Sequence, residues 1–318
     1  MNRRELLKAA SLTALSATAL GSSTALTALP ASAAPSWPGH KPGRVYLGMS
    51  SHGSFSDALR LTGQVGLRRT FYRWDDARRE SRNISADHSA DRLPWVSFKP
   101  PFSSKGGWAA VASGRYDGDI RARARRYAAL SRPVVVTFNH EPHNDATGTP
   151  AEFAKAWLRI HRVMQGETGL QNVAFVPIIG EWEFNPVNRS RNPGEYITEA
   201  VLQHCAFLGV DLYQTRKGEG YRERVGRVFD WLDGQGHRDL QVGIGETGCT
   251  DDFGSPSGAR WWEDSWRWTV ANRDRMAAIS YFNSLHNNNS GKNWLLTQSS
   301  SKLRAFRASV SSATACRL

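Results

Sequence analysis

Cysteine is scarce, with three in 318 residues, and that excludes a disulfide-built scaffold and any four-cysteine zinc module. No internal repeat period is present, so the chain is not a solenoid or a propeller. Acidic residues are outnumbered, 29 against 41 Lys and Arg, for a formal net charge of +12. Aromatic residues are not scarce. Twelve Trp, 13 Phe and 8 Tyr, with 40% hydrophobic content, exclude an intrinsically disordered chain and give enough material for one large core or two small ones.

The first 33 residues read as an address. Arg3-Arg4 precede an apolar Ala/Leu/Ser/Thr stretch and the small-x-small site Ala31-Ser32-Ala33. Gly21, Ser22, Ser23 and Pro30 interrupt that stretch, so stable membrane insertion is not expected. The pattern resembles a bacterial twin-arginine export signal, which implies an extracellular protein. A general secretory signal with a chance arginine pair is the alternative. Removing residues 1–33 takes away Arg3, Arg4, Lys8 and Glu5 and lowers the +12 by only two. The remaining excess favours acidic surroundings: an anionic cell wall, an acidic polysaccharide or nucleic acid. Arg121, Arg123, Arg125 and Arg126 belong to an amphipathic helix with Ile120, Ala124, Tyr127 and Leu130, which fits a solvated face better than a nucleic-acid groove. No nucleic-acid partner is expected, and a monomer is.

Residues 34–43 are rich in Pro and Gly and read as a short linker. From residue 44 to 318 one unit recurs: an apolar run, a polar loop, a helical pattern. Eight strands are expected, at 44–50, 66–74, 93–99, 133–139, 172–179, 206–213, 240–246 and 276–283. Near-continuous runs such as Val134-Val135-Val136 and Val173–Ile179 fit strands buried on both faces. Helical spacing marks 150–164, 195–203, 223–232, 259–271 and 301–310. The helix between Trp74 and Leu93 is the least marked. Thr149-Pro150 and Asn192-Pro193 are helix-start signals. Eight strands alternating with helices predict an α/β fold, a single (β/α)8 TIM barrel. A doubly wound sheet is the runner-up, but Gly48-Met49-Ser50-Ser51-His52-Gly53 lacks the phosphate-binding glycine spacing that usually follows its first strand.

In such a barrel the chemistry sits where strands end at their carboxyl side. Strand four ends Asn139-His140-Glu141-Pro142, strand six Asp211-Leu212-Tyr213-Gln214, and strand seven Gly245-Glu246-Thr247-Gly248. Two carboxylates opposed across a mouth are what glycoside hydrolysis requires: one protonates the leaving oxygen, the other attacks the oxocarbenium-like centre. His140-Glu141-x-His143 has the wrong spacing for a zincin helix and contains Pro142, so neither a metal nor any other cofactor is expected. Tyr72, Trp74, Trp108, Trp182 and Tyr213 are candidate sugar platforms. Glu181 and Glu183 are secondary candidates for hydroxyl contacts, or else solvated. His143 and Asn144 line a sugar subsite or cap the loop.

Arg132-Pro133…His140-Glu141, Phe207 to Tyr213 and Val242 to Gly248 resemble the strand-four, strand-six and strand-seven segments of the retaining clan A glycosidases, most closely glycoside hydrolase family 26, the β-mannanases. The resemblance spans roughly residues 45–306. It implies that Glu141 is the acid/base and Glu246 the nucleophile of an endo-β-glycanase acting on polysaccharide. Tyr213 then orients Glu246, and His140 positions Glu141 or a substrate hydroxyl. Asp211, Asn139, His143, Trp74, Trp182 and Tyr72 are expected in binding or supporting roles. The chain departs from the mannanase pattern after His140-Glu141, continuing Pro142-His143-Asn144-Asp145. It also carries Phe282-Asn283 at the end of strand eight, where clan members often place Trp. A non-catalytic glycan-binding barrel is the rival from another class, though it would not need both glutamates. A phosphodiesterase barrel would need an acidic and histidine metal cluster. The topology places Cys205 and Cys249 at opposite ends of the barrel and permits only a Cys205–Cys316 bridge.

Overall fold

A computed structural model describes residues 36–145, 147–166, 170–285 and 290–318. The export signal expected at 1–33 lies outside the described residues. The strands run β1 Val45–Ser51, β2 Leu67–Tyr72, β3 Leu93–Phe98, β4 Val134–Phe138, β5 Val173–Phe175, β6 Ile178–Gly180, β7 Leu208–Tyr213, β8 Val242–Gly248, β9 Met276–Asn283 and β10 Ala315–Cys316. All pair in parallel, in the order β5-β4-β3-β2-β1-β9-β8-β7-β6. β5 and β6 are two halves of one barrel strand, split at Val176-Pro177 because proline has no N–H to give the ladder. β5 pairs with β4, β6 pairs with β7, and the Gly209 amide donates to the Pro177 carbonyl at 2.9 Å. The sheet thus closes on itself. It is the (β/α)8 barrel expected, with β7, β8 and β9 as barrel strands six, seven and eight.

Helices α1 Phe55–Thr62, α2 Ala77–Ser89, α3 Gly107–Ala112, α4 Asp117–Ala128, α5 Pro150–Gln165, α6 Glu199–Leu202, α7 Tyr221–Gly234, α8 Ser257–Ala271 and α9 Ser300–Val310 cover it. Thr149 caps α5 in a reciprocal pair with Glu152, as the Thr-Pro signal predicts. Asn192 does cap a turn, but only the 3-10 piece Pro193–Glu195, and the helix expected over 195–203 shrinks to α6. α2 is formed in full, with Glu80, Ile84 and Asp87 buried.

Two apolar layers result. The larger lies between strands and helices. The smaller fills the barrel, with Tyr46, Leu67, Leu93, Trp95, Val135, Ala174, Ile178, Phe207 and Ala278. Residues 36–43 depart from the linker reading. Trp37 is buried against Phe207 and Tyr46, its indole N–H donates to Gln241 Oε1 at 2.9 Å, and the Tyr46 hydroxyl donates to the Gly39 carbonyl. The segment plugs the barrel floor, because a Trp flanked by turn residues gains more from burial than from solvent. All three cysteines are free thiols, so no Cys205–Cys316 bridge forms.

Candidate active site

The barrel interior changes character toward the mouth. Above the apolar floor stand Ser50, Arg69, Ser97, Thr137, Asp211 and Ser280, all at most 5% exposed. Four strand ends set the site on this layer.

At the end of β4 the backbone turns sharply. Asn139 and Glu141 have φ of 44° and 50°, left-handed values that non-glycine residues adopt at a cost. The turn is held because the Glu141 amide donates to the Ile178 carbonyl at 3.0 Å. Asn139 Nδ2 donates to Asp145 Oδ2 at 2.7 Å, and the Trp108 indole N–H donates to Asn139 Oδ1. Asn139 is therefore a buried brace, and Trp108 supports it instead of offering a sugar platform. The Glu141 carboxyl is raised to about 7, first by burial and then by the charge of Glu246. Its side-chain donor is Asn144 Nδ2 at 3.2 Å. Glycine at 180 makes room here: a Cβ would lie 2.7 Å from His143 Nε2 and 3.7 Å from Glu141 Oε1. His143 and the Glu141 carboxyl thus both lie over Gly180, and the His143 pKa is lowered to about 4, mainly by burial.

At the end of β8 the register slips between Ile244 and Thr247, and the β7–β8 ladder slips beside Asp211. Such a bulge re-aims a side chain, here Glu246, into the mouth. The Tyr213 hydroxyl donates to Glu246 Oε2 at 2.6 Å, which is the orienting contact expected. His140 Nε2 stands 3.8 Å from Glu246 Oε1, and its Nδ1 pairs with Ser97 Oγ at 3.3 Å. His140 therefore flanks Glu246, not Glu141. Burial, with Arg69 and Lys99 nearby, keeps its pKa well below the usual histidine value, so it is neutral. Burial raises Glu246, while Arg69, the Tyr213 hydroxyl and Lys99 oppose that rise. Asp211 sits beneath with no side-chain donor and the Glu246 backbone amide beside it. Burial and the Glu246 and Glu141 charges hold its pKa well above the carboxylate range.

Sequence reasoning missed two cations. Arg69, 1% exposed, lies on the inward face of β2 between Leu67 and Phe71, and its charge bears on Glu246, Asp211 and Glu141. A charged residue at an inward position of an apolar strand was the available signal. Lys99, directly after β3, pairs with Asp145 at 2.8 Å. Trp294 was missed as well: it is buried, 5.2 Å from the Tyr213 ring, over Gly248.

A cleft of about 500 Å³ opens beside Glu246, with Arg69, Phe71, Ser97, His140 and Phe282 on its inner wall. Tyr72 also lines it, from the outer face of β2. Trp74 does not: its indole N–H bonds Asp119 and its ring packs on Phe98 and Tyr116. Trp182 lies on the turn Glu181–Phe184 under the Arg216 guanidinium, likewise outside the cleft lining. Glu181 and Glu183 are neither sugar contacts nor solvated. Both are buried in ion pairs, the first with Arg224 and Arg227, the second with Arg191. Among the described residues no group of three or more His, Cys, Asp or Glu side chains is arranged to hold a metal ion, and no helix is long and apolar enough to cross a membrane.

Solved structures with this fold include GH26C from a Muricauda species, 13% identical with a TM-score of 0.63, over 86% of this chain and 87% of that one. An endo-β-1,4-glucanase from Xanthomonas axonopodis pv. citri carrying three substitutions is 11% identical with a TM-score of 0.60, over 84% and 99%. A fungal β-1,4-galactanase is 11% identical with a TM-score of 0.61, over 83% and 99%. At these identities the likeness is one of fold, and the fold is the one the sequence resemblance implied. No protein-family model and no curated protein sequence matches the chain.

Proposed function

We propose that the chain is an exported, retaining glycoside hydrolase that cuts β-linked polysaccharide by double displacement. The observation that carries this reading is the unequal pair at one barrel mouth. Glu141 is held near pKa 7 with Asn144 as its side-chain donor, while Glu246 is faced by Arg69, Tyr213 and Lys99. The donors favour a charged Glu246, so the proton the pair shares belongs on Glu141. Glu141 gives that proton to the glycosidic oxygen as the C–O bond breaks. The Glu246 carboxylate forms a bond to the anomeric carbon. Glu141, now ionised, takes a proton from water, which attacks the same carbon and releases Glu246. His140, neutral and fixed by Ser97, bounds Glu246 on the side away from Tyr213. An endo-β-glycanase is the finer reading, supported by what the fold neighbours are named for and by the sequence resemblance. Export is supported by the twin-arginine pattern at 1–33.

The test is hydrolysis of a panel of neutral and acidic β-glycans by the mature chain, with Glu246→Ala as control. Reducing ends released by the wild type and not by the variant are expected. No release from any glycan, or equal release by the variant, contradicts the reading.

A further inference from the structure

The cleft does not stop at the inner wall of the barrel. Successive residues of a strand face opposite sides, and the cleft crosses β2. Arg69 and Phe71 line it inside, and Arg68, Thr70 and Tyr72 line it outside. There it meets Phe55 of α1 and Arg79 and Asn83 of α2, making a slot between β2 and the helix layer. Among the described residues lining the whole cleft, Arg68, Arg69, Arg79 and Lys99 are cations, and the single carboxylate is Glu246.

The two slot arginines are pinned from behind. Arg68 lies 4.3 Å over the Phe55 ring with Nη1 3.8 Å from Asp87, a carboxylate 1% exposed and itself held by Arg92. Arg79 lies 4.9 Å over the Tyr72 ring, bonds Asp76, and donates to the Phe71 carbonyl at 3.1 Å. The Tyr72 hydroxyl accepts from Asn83 Nδ2 at 2.9 Å. Each guanidinium carries five donors, so N–H groups remain for a ligand. Their side chains are 21% and 50% exposed, within reach of a guest.

Which part of a substrate enters follows from the chemistry of the pair. Glu246 attacks the anomeric carbon of the sugar that stays on the enzyme, and Glu141, which does not line this cleft, serves the departing side. We infer that the slot between β2, α1 and α2 binds an anionic group, a carboxylate or a sulfate ester, carried by the glycone side of the polysaccharide. Pinned guanidiniums match the planar acceptor pairs of such groups, and the positive chain steers acidic glycans toward them. A neutral pyranose would leave the ligand-facing N–H groups of Arg68 and Arg79 without an anionic acceptor, since Asp87 and Asp76 hold them only from behind. The inference rests on the glycosidase reading for the direction of the chain, and its test is chosen to fail separately.

Full mature protein carrying Glu246→Ala is titrated calorimetrically with neutral cellopentaose and mannopentaose, with a uronate-bearing oligosaccharide, and with a sulfated oligosaccharide, at low and high salt. A folded state is first verified by thermal melting. Either anionic ligand is expected to bind about tenfold or more tightly than the neutral ones at low salt, with the advantage shrinking at high salt. Uronate over sulfate assigns a carboxylate, and the reverse assigns a sulfate ester. Adding Arg79→Gln or Arg68→Gln is expected to remove the preference while leaving neutral binding unchanged. Neutral ligands binding as tightly as anionic ones, no binding by any ligand, or a preference that survives both substitutions overturns the inference. Anionic preference with no wild-type hydrolysis of any glycan supports the slot and overturns the hydrolase reading. Wild-type hydrolysis with no anionic preference overturns the slot alone.

Discussion

Protonation is decided at the level of single side chains. Three carboxyls share one mouth, and burial raises all three, so what separates them is the donors each one faces. Asp211 has no side-chain donor, Glu141 has Asn144, and Glu246 has the Tyr213 hydroxyl with two cations nearby. The sign follows for catalysis. The acid must be protonated, so kcat/KM should fall as pH rises through about 7, the raised value of Glu141. It should also fall on the acid side as Glu246 takes up a proton. A pH–rate profile checks this, and Glu141→Ala should abolish the basic limb. Tyr213→Phe removes a donor that favours the Glu246 carboxylate. It should lower kcat about 100-fold and move the acid limb upward. A drop in kcat with an unmoved acid limb would mean that the hydroxyl serves the substrate, not the nucleophile.

At the scale of elements, the site depends on two irregularities, and neither follows from hydrophobic pattern. The slip in β8 aims Glu246, and glycine at 245 leaves the space that Asp211 fills, since a Cβ there would lie 2.6 Å from Asp211 Oδ1 and 2.8 Å from Ile178. Gly245→Ala should therefore destabilise the fold by about 1–3 kcal/mol, read by denaturant unfolding, and depress activity beyond that loss. Most of the barrel strands were legible because strands buried on both faces are written as apolar runs, whereas β2 carries Arg68 and Arg69. The two carboxylates that share the mouth, Glu141 and Glu246, were legible because each stands directly after one of those runs. Arg69 was not, because an arginine inside an apolar strand reads as an interruption until the barrel closes around it. Glu181 and Glu183 were misjudged for a related reason: their partners Arg224, Arg227 and Arg191 are distant or unpatterned in sequence. α6 was overextended because helical spacing over 195–203 says nothing of the 3-10 turn that Pro193 starts.

For the whole molecule, the barrel is closed at the floor and open at the mouth. The floor is sealed by a segment whose composition suggested a linker. Trp37→Ala should cost about 3–5 kcal/mol of stability, measured by denaturant unfolding, with kcat/KM of the folded fraction unchanged. A loss under about 0.5 kcal/mol, typical of a surface site, would return residues 36–43 to the status of a tether. The mouth carries the claim on which the rest depends, that Glu246 forms a covalent bond to the sugar. Glu141→Ala removes both the acid and the base that activates water, so on an aryl glycoside whose good leaving group departs without protonation, built on a glycan the wild type cleaves, the glycosyl-enzyme should accumulate. Peptide mapping of that variant by mass spectrometry should find one glycosyl residue attached at Glu246. A label on any other side chain, or turnover by the active enzyme that inverts the anomeric centre without a covalent species, would contradict the account.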